Sequence, residues 1–172
     1  LEKITGRGNS KYNSCLNDLA NLYMDMGVYE KAEPLYLDAL SIQKETFGKE
    51  NRAYARILND LAILYKVIGN FEKAEQLYLE AKSINEKVLG KESRAYAGSA
   101  NNLAILYNVM GNYKKAELLH IEAKNIREKL FGIEHPSYAS SLNNLAILYE
   151  HMGQYNRAEP LLVESKDIRE KL

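Results

Sequence analysis

Histidine, cysteine and paired carboxylates are the side chains best suited to catalysis or metal binding, and this sequence contains few of the first two. His120 occupies a core-type helix position, His135 lies in a linking segment and His151 lies near a helix end, without HExxH or clustered Cys/His spacing. Cys15, the single cysteine, has no fixed basic partner and is predicted to be a small helix-packing residue. There is also no glycine-rich phosphate loop and no nucleophile elbow. The sequence therefore predicts neither an enzyme nor a bound cofactor or metal.

Charge and hydropathy argue against two classes of partner. The 23 basic residues balance 23 acidic residues, so no net field attracts the chain to nucleic acid or to anionic lipid. The longest apolar runs, such as 145–149, span about five residues, whereas a membrane helix needs roughly 20. The lone cysteine cannot form an internal disulfide, and no charged and then apolar leader opens the sequence. We therefore expect a cytoplasmic location.

An internal repeat of 42 residues dominates the sequence. Its four copies contain LNDLANLYMDMG, LNDLAILYKVIG, ANNLAILYNVMG and LNNLAILYEHMG, and each copy continues after the glycine with an Ala-Glu pair at a fixed position. The glycines are Gly27, Gly69, Gly111 and Gly153, and the glutamates are Glu33, Glu75, Glu117 and Glu159. The repeats span approximately 7–48, 49–90, 91–132 and 133–172, which predicts a single repeat array over 1–172.

Each repeat is predicted to contain two amphipathic helices, because apolar residues recur at steps of three and four. The glycine between the helices suits a left-handed helix end, and Asn70 or Asn112 directly after it is predicted to cap the next helix through its side chain. Second helices are predicted to end at Gly48, Gly90 and Gly132, and new first helices to begin near Asn51, Ser93 and Pro136.

Small residues at fixed positions predict close packing between these helices. They are Ala20, Ala62, Ala104 and Ala146 in first helices, and Ala32, Ala74, Ala116 and Ala158 in second helices. Pro34 and Pro160, about two turns into second helices, predict a bend but not a break. Because one hairpin buries too little apolar surface alone, neighbouring hairpins must cover one another.

Two other sets of side chains are interpreted as structural. Asp18 and Asp60 have asparagine at the same position in the sister repeats, so they are predicted to be solvated or capping groups and not a carboxylate pair. Tyrosine recurs at one position in every repeat, which indicates packing and not base stacking. These residues are Tyr12, Tyr54, Tyr96 and Tyr138. Residues 1–6 match the end of a second helix and Leu172 stops in mid-pattern, so we expect an excerpt of a longer array.

The repeat resembles the tetratricopeptide signature, with L-x2-L-A-x2-Y over 16–23, Gly27, Tyr29 and A-x3-Y over 32–36. The period of 42 residues is longer than the usual period of about 34. The segments LNNLAxLY, GxYxxAEPLY and GxEHPSYA, the last at 132–139, are similar to those of kinesin light chains and their prokaryotic relatives. The resemblance implies an all-α fold, a right-handed α-solenoid of four antiparallel helix-hairpin repeats. It departs at His120 and Leu162, where other repeats carry tyrosine.

By the same resemblance, one face of each first helix forms a concave groove that holds a peptide. Asparagine amides at a fixed position would pair with the main chain of that peptide, and isoleucines would contact its apolar side chains. The predicted peptide-binding residues are Asn17, Asn59, Asn101 and Asn143, then Ile63, Ile105 and Ile147, with Arg56, Lys66, Asn108 and Glu150 beside them. The alternative is that the asparagines hydrogen-bond within or between repeats and that second helices cover the isoleucines.

Charge in this groove is mixed. Related arrays use basic residues to hold acidic peptides, but here Arg56 and Lys66 are opposed by Asp25 and Glu150, so a mostly neutral peptide is expected. The resemblance implies a scaffold for protein–protein interaction. Two alternatives stay open: a regulatory or sensor arm of a larger effector enzyme, such as an ATPase or a caspase-like protease, and self-association through the repeat ends.

Overall fold

The computed structural model describes residues 10–171, and eight helices and no strands occur in that range. The helices pair in sequence as four hairpins, which confirms the all-helical repeat prediction. The first helices are α1 (Ser10–Asp25), α3 (Arg52–Val67), α5 (Arg94–Val109) and α7 (Pro136–His151). The second helices are α2 (Tyr29–Phe47), α4 (Phe71–Leu89), α6 (Tyr113–Phe131) and α8 (Tyr155–Glu170). The predictions made for residues 1–6 and Leu172 lie outside the described residues.

The helices group into two compact units. Unit 1 covers 1–88 and unit 2 covers 89–172, so each unit holds two hairpins. In unit 1, α3 of the second hairpin packs on α2 of the first. In unit 2, α7 packs on α6 in the same way. The organisation of all four repeats as one array over 1–172 stays a prediction.

The hairpin turns depend on glycine, as predicted. At the end of α3, Gly69 has φ of 81°, and the N–H of Asn70 donates to the Tyr65 carbonyl at 2.8 Å. A side chain at that φ would be strained, since only glycine adopts the left-handed region freely. The glycines that end the helices have φ between 70° and 82°: Gly27, Gly48, Gly69, Gly90, Gly111, Gly132 and Gly153.

Side-chain caps begin most of the first helices. Asn51 Oδ1 accepts from the Tyr54 N–H at 2.9 Å, and Ser93 Oγ accepts from the Tyr96 N–H at 3.3 Å. Pro136 is the first residue of α7, and His135 Nδ1 caps that helix by accepting from the Ser137 N–H at 3.0 Å. The predicted starts of these helices are confirmed.

Caps on the second helices are less regular. Asn70 Oδ1 accepts from the Lys73 N–H at 3.2 Å, as predicted. The matching prediction for Asn112 is wrong, because its side chain makes no cap bond. Its ψ of 64° differs from the extended ψ of 142° to 158° at the residues that cap α3, α5 and α7, and the extended conformation is the one that directs a side chain at the helix N–H groups.

The core is built as the repeat predicts. All eight fixed alanines are at most 2% exposed, so helices approach closely wherever they occur. Pro34 and Pro160 lie within uninterrupted α2 and α8, which confirms that neither proline breaks its helix. Tyr54, Tyr96 and Tyr138 are buried, as the packing interpretation requires.

Three predictions about single side chains are wrong. Tyr12 is 39% exposed and Cys15 is exposed, although the sequence predicts packing for both. Both lie on α1, and no described helix precedes α1 to cover that face. Asp60 is neither solvated nor a cap, since it is half-buried and accepts a side-chain hydrogen bond from Asn17. Between residues 10 and 171, the helices all fall short of the length and apolar character needed to cross a membrane.

Candidate functional site

The face of the first helices predicted to bind a peptide carries one half-buried isoleucine per helix on three of them. Ile63 lies on α3, Ile105 on α5 and Ile147 on α7, and each keeps part of its side chain exposed. The leucine that follows each isoleucine is fully buried, because it turns into the core. On each of these helices, the isoleucine is therefore the accessible edge of an apolar stripe whose other side chains are buried.

Two of the four predicted asparagines bridge neighbouring first helices. In unit 1, Asn17 is 1% exposed, and its Nδ2 donates to Asp60 Oδ2 at 3.0 Å. In unit 2, Asn101 is 7% exposed and accepts from Asn144 Nδ2 at 2.8 Å. Both pairs are separated by 43 residues, so the same link joins α1 to α3 and α5 to α7. For Asn17 and Asn101, this geometry agrees with the alternative in which the asparagines hydrogen-bond between repeats and do not contact a ligand.

The other two asparagines differ from each other. Asn59 donates to the Ala55 carbonyl at 2.9 Å, within its own helix. Asn143 is half-buried, and its side chain makes no hydrogen bond to any described residue. Its amide thus keeps both donor and acceptor available. Ile147 and Glu150 follow it at steps of four and three, which places all three side chains on one face of α7.

Charged groups give the two units different electrostatics. In unit 1, Arg56 is exposed and Lys66 is half-buried, and burial lowers the pKa of Lys66. Burial raises the pKa of Asp60, while the hydrogen bond from Asn17 and the charge of Arg56 oppose that rise. In unit 2, Glu150 is exposed on α7. The predicted binding face of α3 in unit 1 is therefore basic, whereas that of α7 in unit 2 is acidic.

Asn108, another predicted binding residue, is buried and makes a side-chain contact within unit 2. It is 8% exposed, and its Oδ1 lies 3.0 Å from His151 Nδ1. This pair is again separated by 43 residues, so it forms a second link between α5 and α7. His151 bonds to Asn108, and His135 caps α7, so these two histidines have separate structural roles.

His120 is the third histidine and the most deeply buried, at 1% exposed. Its Nδ1 has no hydrogen-bond partner, and burial together with the positive charge of Arg127 lowers its pKa to about 4. A neutral, inaccessible imidazole cannot exchange protons with a substrate at neutral pH. Across residues 10–171, no three side chains of the types that bind metals come together.

Sequence reasoning missed a polar joint that links a second helix to the next hairpin. In unit 1, the Tyr65 hydroxyl donates to Glu33 Oε1 at 2.6 Å. In unit 2, the Tyr149 hydroxyl donates to Glu117 Oε1 at 2.8 Å, and Arg157 donates to the same oxygen at 2.7 Å. The signal was available, because the glutamate and the tyrosine both keep their positions in all four repeats.

Comparison with known proteins agrees with this architecture. The tetratricopeptide repeat model matches residues 12–87 and 95–171. The crystal structure of BtubC (BKLC) from P. vanneervenii is similar, with a TM-score of 0.83 and 31% sequence identity over 93% of this chain and 64% of that chain. The chain therefore spans less than two thirds of the length of BtubC.

Two further structures show the same fold. One is a Podosopora anserina protein with nearly identical kinesin-light-chain TPR-like repeats (TM-score 0.76, 27% identity, 95% of this chain and 78% of that chain). The other is the apo form of RapI, which at 21% identity supports the fold alone (TM-score 0.80, 99% of this chain and 60% of that chain). No curated protein matches the sequence. The chain belongs to the tetratricopeptide repeat family, and its repeats are of the kinesin-light-chain-like type.

Proposed function

We propose that the chain binds a peptide, or an extended segment of a partner protein, on the first-helix face of unit 2, where Ile105 lies on α5 and Ile147 on α7. Tetratricopeptide repeats are scaffolds for protein–protein interaction and are generally not enzymes. The proposal adds the location of the binding face and the chemistry of its ligand. In this proposal the chain has no catalytic activity of its own, and it acts in the cytoplasm.

One observation carries the proposal: the same apolar side chain stays partly exposed on three first helices. Isolated exposed apolar residues are normal on any surface, but recurrence at one repeat position, in both units, is an ordered pattern. A ligand that covers these side chains removes apolar area from water, at about 25 cal/mol per Å². The isoleucines would therefore supply affinity, and neighbouring polar groups would supply orientation.

Asn143 is the polar group best placed for that role. Its amide has no partner within the described part of the chain, so it can accept from and donate to the main chain of a peptide beside Ile147. Arg56 and Lys66 in unit 1 favour an acidic ligand side chain, whereas Glu150 in unit 2 favours a basic one. On unit 2, a ligand with a basic side chain and spaced apolar residues therefore fits best.

Peptide selection followed by NMR mapping tests the proposal. Random peptides displayed on phage would be selected against the chain, and a selected synthetic peptide would then be titrated into ¹⁵N-labelled protein. We expect shift changes concentrated on α5 and α7 around Ile105 and Ile147. An I105D/I147D variant should bind the peptide about tenfold more weakly or worse, equivalent to about 1.4 kcal/mol.

The matched control is L118D, because Leu118 is an apolar side chain of unit 2 that is 71% exposed and lies on a second helix. L118D should bind like the wild type. If I105D/I147D binds the peptide as tightly as the wild type and its helical circular dichroism is unchanged, this face is not the binding site. The alternative of a regulatory arm on a larger enzyme rests on the resemblance alone and stays a prediction.

A further inference from the structure

Arg127 on α6 is a half-buried cation that no carboxylate of the described residues neutralises. Its Nη1 donates to Ser141 Oγ at 2.8 Å and lies 3.5 Å from the carbonyl oxygen of Ser137, and both serines belong to α7. Its Nη2 and Nε make no hydrogen bond within residues 10–171. Arginine carries five N–H donors in a planar fork, so most of its capacity to bind an anion is unused here.

Unit 1 shows that this repeat position does not need a charge. Gln43 on α2 is the repeat equivalent of Arg127 and is 6% exposed. Its Nε2 donates to Asn51 Oδ1 at 2.9 Å, and its Oε1 accepts from Asn13 Nδ2 at 2.7 Å. A neutral amide thus joins α2 to the start of α3, as Arg127 joins α6 to the start of α7. The charge of Arg127 is therefore additional to the structural role of the side chain.

Arg94 is a second unpaired cation in the same unit. It is the first residue of α5, is exposed, and makes no hydrogen bond or ion pair with the described residues. Its positive charge, together with burial, lowers the pKa of Arg127, so the two guanidinium groups are close enough to repel each other. Gly98 follows Arg94 on the same face of α5, and a Cβ added there would meet nothing within 4 Å. The surface beside Arg94 is therefore open to a ligand.

The carboxylates that lie near these arginines in the sequence are already paired with lysines. The two ion pairs are Glu92–Lys129 and Glu128–Lys124. Neither carboxylate is free to neutralise Arg94 or Arg127. A partly buried charge is costly unless an opposite charge compensates it, and within the described part of unit 2 that compensation is missing.

We propose that Arg94 and Arg127 form a binding site for a phosphoryl dianion, supplied by a free phosphate ion or by a phosphomonoester. A phosphomonoester carries a charge of about −1.5 to −2 and three strong acceptor oxygens, which match two guanidinium groups. A carboxylate carries a single negative charge and would leave one arginine without compensation. Ser141 holds Nη1 of Arg127 in place, and Nη2 and Nε bind the ligand. The site uses neither Ile105 nor Ile147, so it does not depend on the peptide binding proposed above.

NMR titration tests the site directly. Sodium phosphate, O-phosphoserine and sodium acetate would each be added to ¹⁵N-labelled protein at constant ionic strength and about pH 7.5, where a phosphomonoester is doubly charged. With phosphate or O-phosphoserine, we expect saturable shift changes at the Nε–Hε signals of Arg94 and Arg127 and at neighbouring amides of α5, α6 and α7. Acetate should bind about tenfold more weakly or worse, because it carries one charge.

Neutral variants identify the residues that bind. R127Q introduces the residue that unit 1 has at this position, so it should fold, and it should bind phosphate about tenfold more weakly or worse. R94Q, at an exposed position, should weaken binding similarly. R52Q is the matched control, because Arg52 begins α3 as Arg94 begins α5, but α4 carries the neutral Asn85 at the repeat position of Arg127. R52Q should bind phosphate like the wild type.

The same titrations separate the two sources of the phosphoryl group. Binding of phosphate without O-phosphoserine supports a site for the free ion, whereas binding of O-phosphoserine supports a site for a phosphomonoester. The absence of saturable shifts on unit 2 with both ligands overturns the proposal. So does phosphate binding that R127Q and R94Q leave unchanged, or acetate binding as tight as phosphate binding, because either result removes the role of two guanidinium groups.

Discussion

Replacement of His120 by tyrosine is expected to remove most of the acid sensitivity that this residue gives unit 2. Tyrosine occupies the equivalent buried positions in the first two repeats, Tyr36 and Tyr78. In the wild type, burial and the charge of Arg127 lower the His120 pKa from 6.5 to about 4. Arg127 itself donates to Ser141 Oγ at 2.8 Å, so it cannot readily move away from a protonated imidazole.

The magnitude follows from linkage. The unfolded chain binds a proton at His120 below pH 6.5, whereas the folded unit resists it until about pH 4. Stability from this residue is therefore complete above pH 6.5 and falls as the pH drops toward 4. The full difference corresponds to about 3 kcal/mol. Carboxylates also titrate in this range, but they change the free energy of unfolding equally in the wild type and in H120Y. The difference between the two proteins therefore reports on His120 alone.

Urea unfolding at about pH 7.5 and about pH 4 measures the effect, followed by amide NMR signals of α5 to α8 so that unit 2 is observed by itself. We expect the wild type to lose up to about 3 kcal/mol more than H120Y over this interval. NMR titration of the His120 ring protons gives an independent reading, with a pKa well below 6.5. Equal losses in both proteins would refute the reasoning, as would a ring pKa near 6.5.

Three further predictions concern packing and polar links. A62F should destabilise unit 1 by about 1 to 3 kcal/mol, because Ala62 is fully buried; an unchanged thermal midpoint would contradict the packing. Y149F should cost about 1 to 3 kcal/mol in urea unfolding, since it removes two hydrogen bonds at the joint, the one donated to Glu117 and the one accepted from Arg157, but keeps the ring, and Y155F at an exposed tyrosine should cost less. N17A should cost about 1 to 3 kcal/mol and raise the pKa of Asp60, because that carboxylate loses its amide donor; a carboxyl titration by NMR that does not move would count against the link.

Helices, turns and most caps were predictable because their causes are local. A glycine with φ near 80° at the end of α3, followed by a capping Asn70, depends on a few neighbouring residues. Asn112 has the same residue type at the same repeat position, yet its side chain makes no cap bond. Residue type thus gives the capacity for a cap but does not decide whether the cap forms.

The candidate site was less predictable because its key contacts are distant in sequence. A repeated asparagine has the same pattern whether it faces a ligand or the next helix. Asn17 and Asn101 face partners 43 residues away, whereas Asn143 has none among the described residues. Packing was also predicted for Cys15, whose repeat equivalent Ile57 is 2% exposed, but Cys15 itself is exposed because no described helix covers that face of α1.

The bridges between first helices also constrain how such a repetitive sequence can fold. Near-identical hairpins are prone to dock on the wrong neighbour, shifted by a whole repeat. Here each bridge has its own chemistry, amide to carboxylate at Asn17–Asp60, amide to amide at Asn101–Asn144 and amide to imidazole at Asn108–His151. The Asn17 position carries asparagine in every repeat, so Asp60 would meet an amide donor in any register. The Asn108 position carries methionine, lysine or glutamate in the other repeats, so only correct docking of the fourth hairpin gives His151 its amide partner. The Asn108–His151 pair thus distinguishes correct docking from docking shifted by one repeat, which the repeated leucines and alanines cannot do.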